Sequence, residues 1–173
     1  SDLVDVARNH VKGFEALIRW RHPEHGQVSP DEFVEIAEYN GLIVPIGRWV
    51  IDNVCRQLSE WRDSGGGVPM VSMNISLRQL QRGELMQVLE ECTRKYEVRP
   101  QQLVLEITES TLMHEPDKTL PLLEELKAQG YAMAMDDFGT GYSSFGQLRQ
   151  MPVGIEFLHL LPGSSPVPAA VFL

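Results

Sequence analysis

Leu103-Val104-Leu105-Glu106-Ile107 is the stretch that decides the fold, because four of its five side chains are apolar. Two similar stretches, residues 70–75 and residues 131–135, lie before and after it along the chain. Short strands that are apolar nearly throughout are typical of a parallel sheet covered on both faces. Helical patterns separate the three stretches. The order of elements therefore predicts an α/β fold, either doubly wound or a TIM-like barrel.

Amphipathic helices are predicted around these strands. One helix runs to Gln129 and stops at Gly130, just before the third strand. Another has apolar side chains at helical spacing between the first two strands, at Leu85, Val88, Leu89 and Cys92. A third, earlier in the chain, has one apolar face made of Val50, Val54, Leu58 and Trp61. A short helix is also predicted after Ser143.

The beginning of the chain adds a further strand and helix. Residues 13–20 alternate between apolar and polar side chains, which predicts a strand. Ser29, followed by Pro30 and by Glu32 three residues after the serine, has the pattern of a capping box that opens a helix. The buried stripe of this helix is predicted to consist of Phe33, Ile36 and Ala37.

Each later strand ends in an oxygen-bearing side chain. Asn74 and Glu106 end the first two strands, and Asp136 and Asp137 follow the third. Asn74 and Glu106 are 32 residues apart, and Glu106 and Asp136 are 30 apart, which is one strand-helix unit per step. These side chains are therefore expected at one edge of the sheet, where α/β barrels place their active sites, and Glu15 can join them.

Several carboxylates at one apolar edge repel each other, and a divalent cation relieves that repulsion. Carboxylate and amide oxygens suit Mg²⁺ or Mn²⁺ better than zinc. The adjacent Asp136 and Asp137 could serve two ions about 3.5–4 Å apart, an arrangement used for phosphodiester hydrolysis. For any one of these positions, a helix cap or a loop hydrogen bond is the competing explanation, and the recurrent spacing favours a joint site.

Composition narrows the classes of partner. The net charge of −9 argues against a nucleic-acid polymer as ligand. The chain contains no run of about 18 apolar residues, so no membrane span is predicted. Cys55 and Cys92 lack a Cys-x-x-Cys spacing and suit a reducing, cytoplasmic location. The five histidines lack zinc-ligand spacing and are predicted to be surface or loop residues.

A series of motifs resembles the EAL domain family. Glu15-Ala16-Leu17 is the motif that names this family, and it stands within the longer match at residues 13–20. Further matches follow in the family's order and spacing, at residues 30–33, 37–38, 41–43, 74–76, 106–110 and 136–144. Because the series extends over roughly residues 2–153, we expect a TIM-like (β/α) barrel of the EAL type, incomplete in this chain.

The resemblance also implies a function and a set of site residues. It implies binding of cyclic di-GMP and hydrolysis to linear pGpG with two Mg²⁺ or Mn²⁺ ions. One ion would be held by Glu15, Asn74, Glu106 and Asp136, and the second by Asp136 and Asp137. By the same resemblance, catalysis depends on Glu15, Asp136 and Asp137.

Three other residues have implied roles. Arg19 would contact the substrate phosphate, for which a guanidinium fork is suited. Leu17 would line the base pocket. Glu109 would anchor the loop at residues 137–144, although a carboxylate favoured at a helix start is the competing explanation.

The resemblance also has departures. Phe157 stands near the position where the family has a catalytic lysine, and the later general-base glutamate is missing. The expected organisation is a partial EAL domain over residues 1–153 and a divergent tail over residues 154–173, frameshifted or vector-derived. The first strand of the domain is expected to be mostly absent. On this basis the fragment itself is expected to be inactive.

Two functions therefore stay open. The first is an EAL-type cyclic di-GMP phosphodiesterase, and the alternative is a non-catalytic receptor or protein-interaction module. The complete protein is expected to form a homodimer and to be fused to sensory or GGDEF domains.

Overall fold

The computed structural model describes residues 2–5, 10–65, 69–136 and 157–158, with side chains for residues 13–65 and 69–135. The strands are β1 (Asp2–Asp5), β2 (His10–Ala16), β3 (Trp20–His22), β4 (Gly26–Val28), β5 (Met70–Asn74), β6 (Leu103–Thr108), β7 (Ala132–Asp136) and β8 (Phe157–Leu158). The helices are α1 (Pro30–Asn40), α2 (Ile43–Asp63), α3 (Leu77–Gln81), α4 (Leu85–Tyr96), α5 (Glu109–Met113) and α6 (Pro116–Ala128). A 3₁₀ turn, Pro100–Gln102, precedes β6.

Six strands form one sheet in the order β1-β2-β5-β6-β7-β8, and β3 and β4 form a separate hairpin. All neighbours from β2 to β8 are parallel. The strand order follows the chain without reversing, whereas a doubly wound sheet reverses at its switch point. Of the two predicted architectures, the TIM-like barrel is therefore confirmed, as a partial barrel.

The edge strand β1 departs from the predicted parallel sheet. It pairs antiparallel with β2, with Asp2 opposite Phe14 and Asp5 opposite His10. Only residues 6–9 connect the two strands. A connection this short joins antiparallel neighbours, because a parallel crossover requires about a dozen residues or more.

The first predicted strand, residues 13–20, was too long at its carboxyl end. β2 ends at Ala16, which is the last residue that pairs with β5. Trp20 belongs instead to the β3–β4 hairpin, where its ring packs edge-on against Phe33 of α1 at 5.8 Å between centroids. The alternation of apolar and polar residues continues from β2 into β3, because the connection between them, residues 17–19, contains no residue type that is typical of turns.

The start of α1 differs from the predicted capping box. Ser29 is the N-cap, but its side chain accepts no cap hydrogen bond. The Ser29 backbone carbonyl accepts instead from the backbone N–H groups of Glu32 and Phe33, at 3.1 and 3.2 Å. Ile36, predicted as buried, is 56% exposed, while Phe33 and Ala37 are buried. The buried stripe of α1 is therefore narrower than its apolar pattern.

The main apolar core lies between the sheet and its helices. The strand residues that point to it alternate along each strand, as in Leu105 and Ile107 of β6. Ile51, Val54 and Leu58 of α2 pack on that side, together with residues of α4 and α6. The opposite face of the sheet carries the alternate strand positions, and these include Glu15, Asn74 and Glu106.

Candidate functional site

The register of the parallel strands places three predicted ligands in one row. Glu15 of β2 is the register partner of Ser72 on β5. Asn74, two residues after Ser72, is the register partner of Glu106 on β6. Residues two apart along a strand share a face, and parallel register partners share it too. Glu15, Asn74 and Glu106 therefore lie on the same face of the sheet, near the carboxyl ends of their strands.

Asp136 occupies the matching position on the next strand. Its backbone pairs with Thr108, two residues after Glu106, so its register position belongs to the same row. Asp137 lies outside the described residues, and so does the short helix predicted after Ser143. The four predicted first-metal positions thus fall in one row by strand register.

One cavity of about 890 Å³ is lined both by residues of this row and by the substrate-binding candidates. Its lining includes Glu15, Leu17, Arg19, Asn74 and Glu106. A volume of this size falls in the range of pockets that hold small ligands. The structure thus brings together five of the predicted site residues at one opening.

Glu106 is the most buried of the carboxylates that line this cavity. Glu106 is only 2% exposed, whereas Glu15 is half-buried and Asn74 is exposed. Burial disfavours an ionised carboxylate, and a second carboxylate on the same face adds repulsion. A divalent cation offsets both costs. The oxygen donors of Glu15, Asn74 and Glu106 therefore fit a hard divalent ion.

Ser72 has a buried hydroxyl group beside this row. Its side chain is fully buried, and within the described part of the chain its Oγ has no hydrogen-bond partner. A buried hydroxyl without a partner costs about 1–3 kcal/mol. The face that carries the ligand candidates is therefore incompletely satisfied by the residues that the structure describes.

The connection after β5 holds Asn74 in place. The backbone N–H of Ile75 donates to the Glu106 carbonyl at 2.8 Å, which extends the β5–β6 ladder by one residue. Ser76 then caps α3 in a complete capping box with Gln79. Asn74 is therefore fixed between a strand ladder and a helix cap. The sequence pattern Ser-x-x-Gln could have revealed this cap.

Arg19 stands at the cavity wall immediately after β2. Its Nη1 donates a hydrogen bond of 2.9 Å to the carbonyl of Ile18. Among the described residues that line the cavity, Arg19 is the only lysine or arginine, against five carboxylates. An anionic ligand is therefore attracted by Arg19 together with any bound cation, and by no other permanently charged lining residue in the described ranges.

Glu109 is the first residue of α5 and is 8% exposed. The Thr108 hydroxyl caps this short helix by accepting from the backbone N–H of Thr111 at 3.2 Å. Glu109 does not line the cavity, in keeping with a role distinct from that of the ligand candidates. The segment that it was predicted to anchor, residues 137–144, lies outside the described residues.

The acidic side chains of α1 were missed by sequence reasoning. Asp31, Glu35 and Glu38 line the same cavity as the residues at the strand ends. Their spacing of i, i+4 and i+7 places them on one helix face, and this pattern could have identified them. They increase the negative charge of the cavity and so favour a cation within it.

A second cluster of ligand-type side chains lies on the β3–β4 hairpin. His22, Glu24 and His25 each offer one atom within 4.8 Å of the others; His22 is half-buried, and Glu24 and His25 are exposed. The His22 Nδ1 already accepts the backbone N–H groups of Glu24 and His25, at 3.1 and 3.3 Å. We therefore assign His22, the last residue of β3, a structural role in which its ring accepts hydrogen bonds from the backbone of the hairpin turn.

Fold and site together define a class of protein. The class is a TIM-like barrel domain, here partial, that carries carboxylate and amide side chains in one row at the ends of its strands. The chain belongs to the EAL domain family, whose model matches residues 3–157. This match extends four residues beyond the domain boundary predicted at residue 153, and that boundary stays a prediction.

Characterised relatives agree with this assignment. The chain is 43% identical over 140 residues to the bifunctional diguanylate cyclase/cyclic di-GMP phosphodiesterase MucR of Pseudomonas aeruginosa, covering 81% of the chain and 20% of the relative. It is 40% identical over 146 residues to the cyclic di-GMP phosphodiesterase PdeR of Escherichia coli, covering 84% and 22%. The chain thus spans about a fifth of the length of these relatives.

A solved structure gives the same result for the fold. The PaMucR phosphodiesterase in complex with c-di-GMP superimposes with a TM-score of 0.78 and 41% sequence identity. The match covers 86% of this chain and 60% of that chain. In the parts of the chain that the structure describes, no helix combines the length and the apolar character needed to cross a membrane.

Proposed function

We propose that this chain carries the metal- and substrate-binding core of a cyclic di-GMP phosphodiesterase. The observation that supports this proposal most strongly is the common row of Glu15, Asn74 and Glu106 on the wall of one cavity. Two relatives named as cyclic di-GMP phosphodiesterases and a relative in complex with c-di-GMP support the choice of substrate.

The residues that would hold the ions are those predicted from the sequence. Glu15, Asn74, Glu106 and Asp136 would hold one Mg²⁺ or Mn²⁺, and Asp136 and Asp137 a second. When bound, such ions lower the pKa of a coordinated water and neutralise charge on the phosphodiester. The donor chemistry of Glu15, Asn74 and Glu106 and the burial of Glu106 support this assignment.

The other residues of the cavity would bind and orient the dinucleotide. Arg19 would hold a phosphate oxygen through its remaining guanidinium N–H groups, while the bond from its Nη1 to the Ile18 carbonyl orients the guanidinium. Leu17 would contact a guanine base. Glu109, buried at the start of α5, would act on the loop at residues 137–144 rather than on the ligand.

A non-catalytic receptor is the second candidate, because Phe157 stands near the position where the family pattern has a lysine. Its backbone pairs with Met133 in the sheet, which places the residue on the strand next to β7. A phenylalanine has no group that can orient water or stabilise negative charge. On this proposal the chain binds cyclic di-GMP without hydrolysing it.

The assembly of the complete protein is also a proposal. The relatives are about five times longer than the match, and one of them is named as a bifunctional diguanylate cyclase. This supports fusion to GGDEF or sensory domains. Homodimer formation rests on the family resemblance.

The deciding experiment measures hydrolysis of cyclic di-GMP with Mn²⁺ for this chain and for Glu15→Ala, alongside calorimetric binding of the dinucleotide. Glu125→Ala, an exposed position on α6, is the matched control. Turnover that is lost in Glu15→Ala and kept in the control supports the phosphodiesterase. Binding without turnover in the parent chain supports the receptor. Unchanged turnover in Glu15→Ala contradicts the site assignment.

A further inference from the structure

Ser72 of β5 is a buried polar residue for which the proposed function gives no role. Its side chain has no exposed surface, and its Oγ lacks a hydrogen-bond partner within the described part of the chain. Val104 and Ala134 occupy other fully buried positions on the same face of the sheet, and both are apolar. Burial on this face therefore does not by itself require a hydroxyl at position 72.

The register places this hydroxyl next to a ligand candidate. Ser72 is the direct partner of Glu15, and register partners on neighbouring strands lie about 4.8 Å apart. Glu106 is diagonal to Ser72, one strand across and two residues further on, and is therefore more distant. Of the two carboxylates in the row whose side chains are described, Glu15 is therefore closer to Ser72 than Glu106 is.

The chemistry of a serine hydroxyl matches this neighbour. It offers one O–H donor, and an ionised carboxylate accepts hydrogen bonds at both oxygens. A carboxylate that binds a metal through one oxygen keeps the other oxygen available to a protein donor. Donors of this kind fix the orientation of metal ligands.

We propose that Ser72 is a positioning residue for the metal site, whose hydroxyl donates a hydrogen bond to the Glu15 carboxylate when that carboxylate binds the ion. This inference rests on the proposed function, because it requires Glu15 to be a metal ligand. Ser72 contacts neither the ion nor the substrate, so it acts only through Glu15.

The test is a Mn²⁺ titration of the full chain, with free ion measured by electron paramagnetic resonance. Ser72→Ala should weaken Mn²⁺ binding about tenfold, in the range found for outer-shell partners of metal ligands. Ser72→Thr, which keeps the hydroxyl, should bind within about threefold of the parent. Ser59→Ala, a serine on α2 outside the cavity, should bind Mn²⁺ like the parent.

Thermal unfolding without metal separates this role from a purely structural one. Ser72→Ala should unfold at the same temperature as the parent or higher, because the variant removes a buried hydroxyl that lacks a partner. Ser72→Ala with parental Mn²⁺ affinity would overturn the inference, and so would a loss of metal-free stability that Ser72→Thr restores.

The same titration distinguishes failure of the inference from failure of the proposed function. Loss of Mn²⁺ binding in Glu15→Ala, together with parental binding in Ser72→Ala, would refute only the role of Ser72. A parent chain that binds no Mn²⁺, or a Glu15→Ala variant that binds it normally, would refute the metal site itself and the inference with it.

Discussion

At the scale of single residues, the site contains a carboxylate, Glu106, whose burial conflicts with its charge. Glu106 is almost completely buried on an otherwise largely apolar strand, although carboxylates are rarely found in such surroundings. The sequence already showed this conflict, because Glu106 is the single charged residue in the stretch that decides the fold. A local conflict of this kind is typical of functional positions.

Cys55 leads to a prediction about alkaline pH. Burial in the core raises the pKa of its thiol to about 12, with smaller contributions from the nearby Cys92 and Asp52. The unfolded chain loses this proton near pH 8.5, whereas the folded chain keeps it. The free energy of unfolding should therefore fall as pH rises above about 8.5, because the unfolded state then binds fewer protons.

Urea unfolding at pH 7.5 and at pH 10 measures this effect, and Cys55→Ala is the informative variant. Its loss of stability between the two pH values should be smaller than that of the parent. Some loss should remain, because burial also raises the pKa values of Cys92 and Tyr131. An equal loss in the variant and the parent would show that Cys55 ionises as readily in the folded chain as in the unfolded one.

The individual site residues were predictable only in part. Their spacing placed Asn74 and Glu106 at strand ends, Glu15 was expected to join them from the earlier strand, and the cavity contains all three. Ser72 could not be identified, because a serine within an apolar strand has no distinguishing pattern without knowledge of its register partner. The charges of α1 were missed for a different reason, since an acidic helix face usually points to solvent.

At the scale of elements, the close approach of α2 to α3 supports the position of Asn74. Gly47 faces Gln79, and a Cβ placed on Gly47 would lie 2.0 Å from the Gln79 Nε2. The Gln79 side chain is the one that accepts from the backbone N–H of Ser76 in the capping box. The packing of the two helices is therefore coupled to the cap that follows the Asn74 strand.

Gly47→Ala is predicted to destabilise the protein by about 1–3 kcal/mol, because the added methyl group displaces Gln79 from the cap. Chemical denaturation measures the loss. In a Gln79→Ala background the same substitution should cost less, or should stabilise α2 by up to about 1 kcal/mol, since alanine favours helix over glycine. An equal cost in both backgrounds would show that Gln79 is not the obstacle.

The elements themselves were predicted unevenly. The strands β5, β6 and β7 agree with the sequence pattern to within one residue at each end, because strands buried on both faces are apolar throughout. The β3–β4 hairpin was missed because its hydrogen bonds are local and its strands are three residues long. A segment of that length is too short for a periodic pattern to become visible.

At the scale of the whole molecule, ion binding and stability should be linked. An ion that binds only the folded chain adds about 2.7 kcal/mol to the free energy of unfolding at 100 times its dissociation constant. For a chain of this size that corresponds to a rise in Tm of roughly 5–10 °C. We expect Mn²⁺ to raise the Tm of this chain by that amount.

Differential scanning calorimetry with and without Mn²⁺ measures this rise, and Glu15→Ala should lose it. A variant with both His22→Ala and His25→Ala should keep it, because these side chains belong to the exposed hairpin cluster. If the double histidine variant loses the rise and Glu15→Ala keeps it, the ion binds at the hairpin and the strand-end site is wrong.

The order of strands and helices narrowed the architecture of the whole molecule to two candidates, and the resemblance to the EAL family selected the TIM-like barrel. Alternating strands and helices are compatible with both a doubly wound sheet and a barrel. The difference lies in which strands become neighbours, and that depends on contacts between residues far apart in the chain. The strand order β2-β5-β6-β7-β8 confirmed the barrel.

The stagger between strands has a consequence for how the molecule reaches its native state. Glu15 aligns two residues before Asn74, and Asp136 aligns two residues beyond Glu106, so the row runs obliquely across four strands. A slip of one residue in any pairing would turn the corresponding side chain towards the helices. Tight binding of a divalent ion thus requires the correct register in every strand pairing at once. The ion therefore selectively stabilises chains whose strands have all paired in the native register.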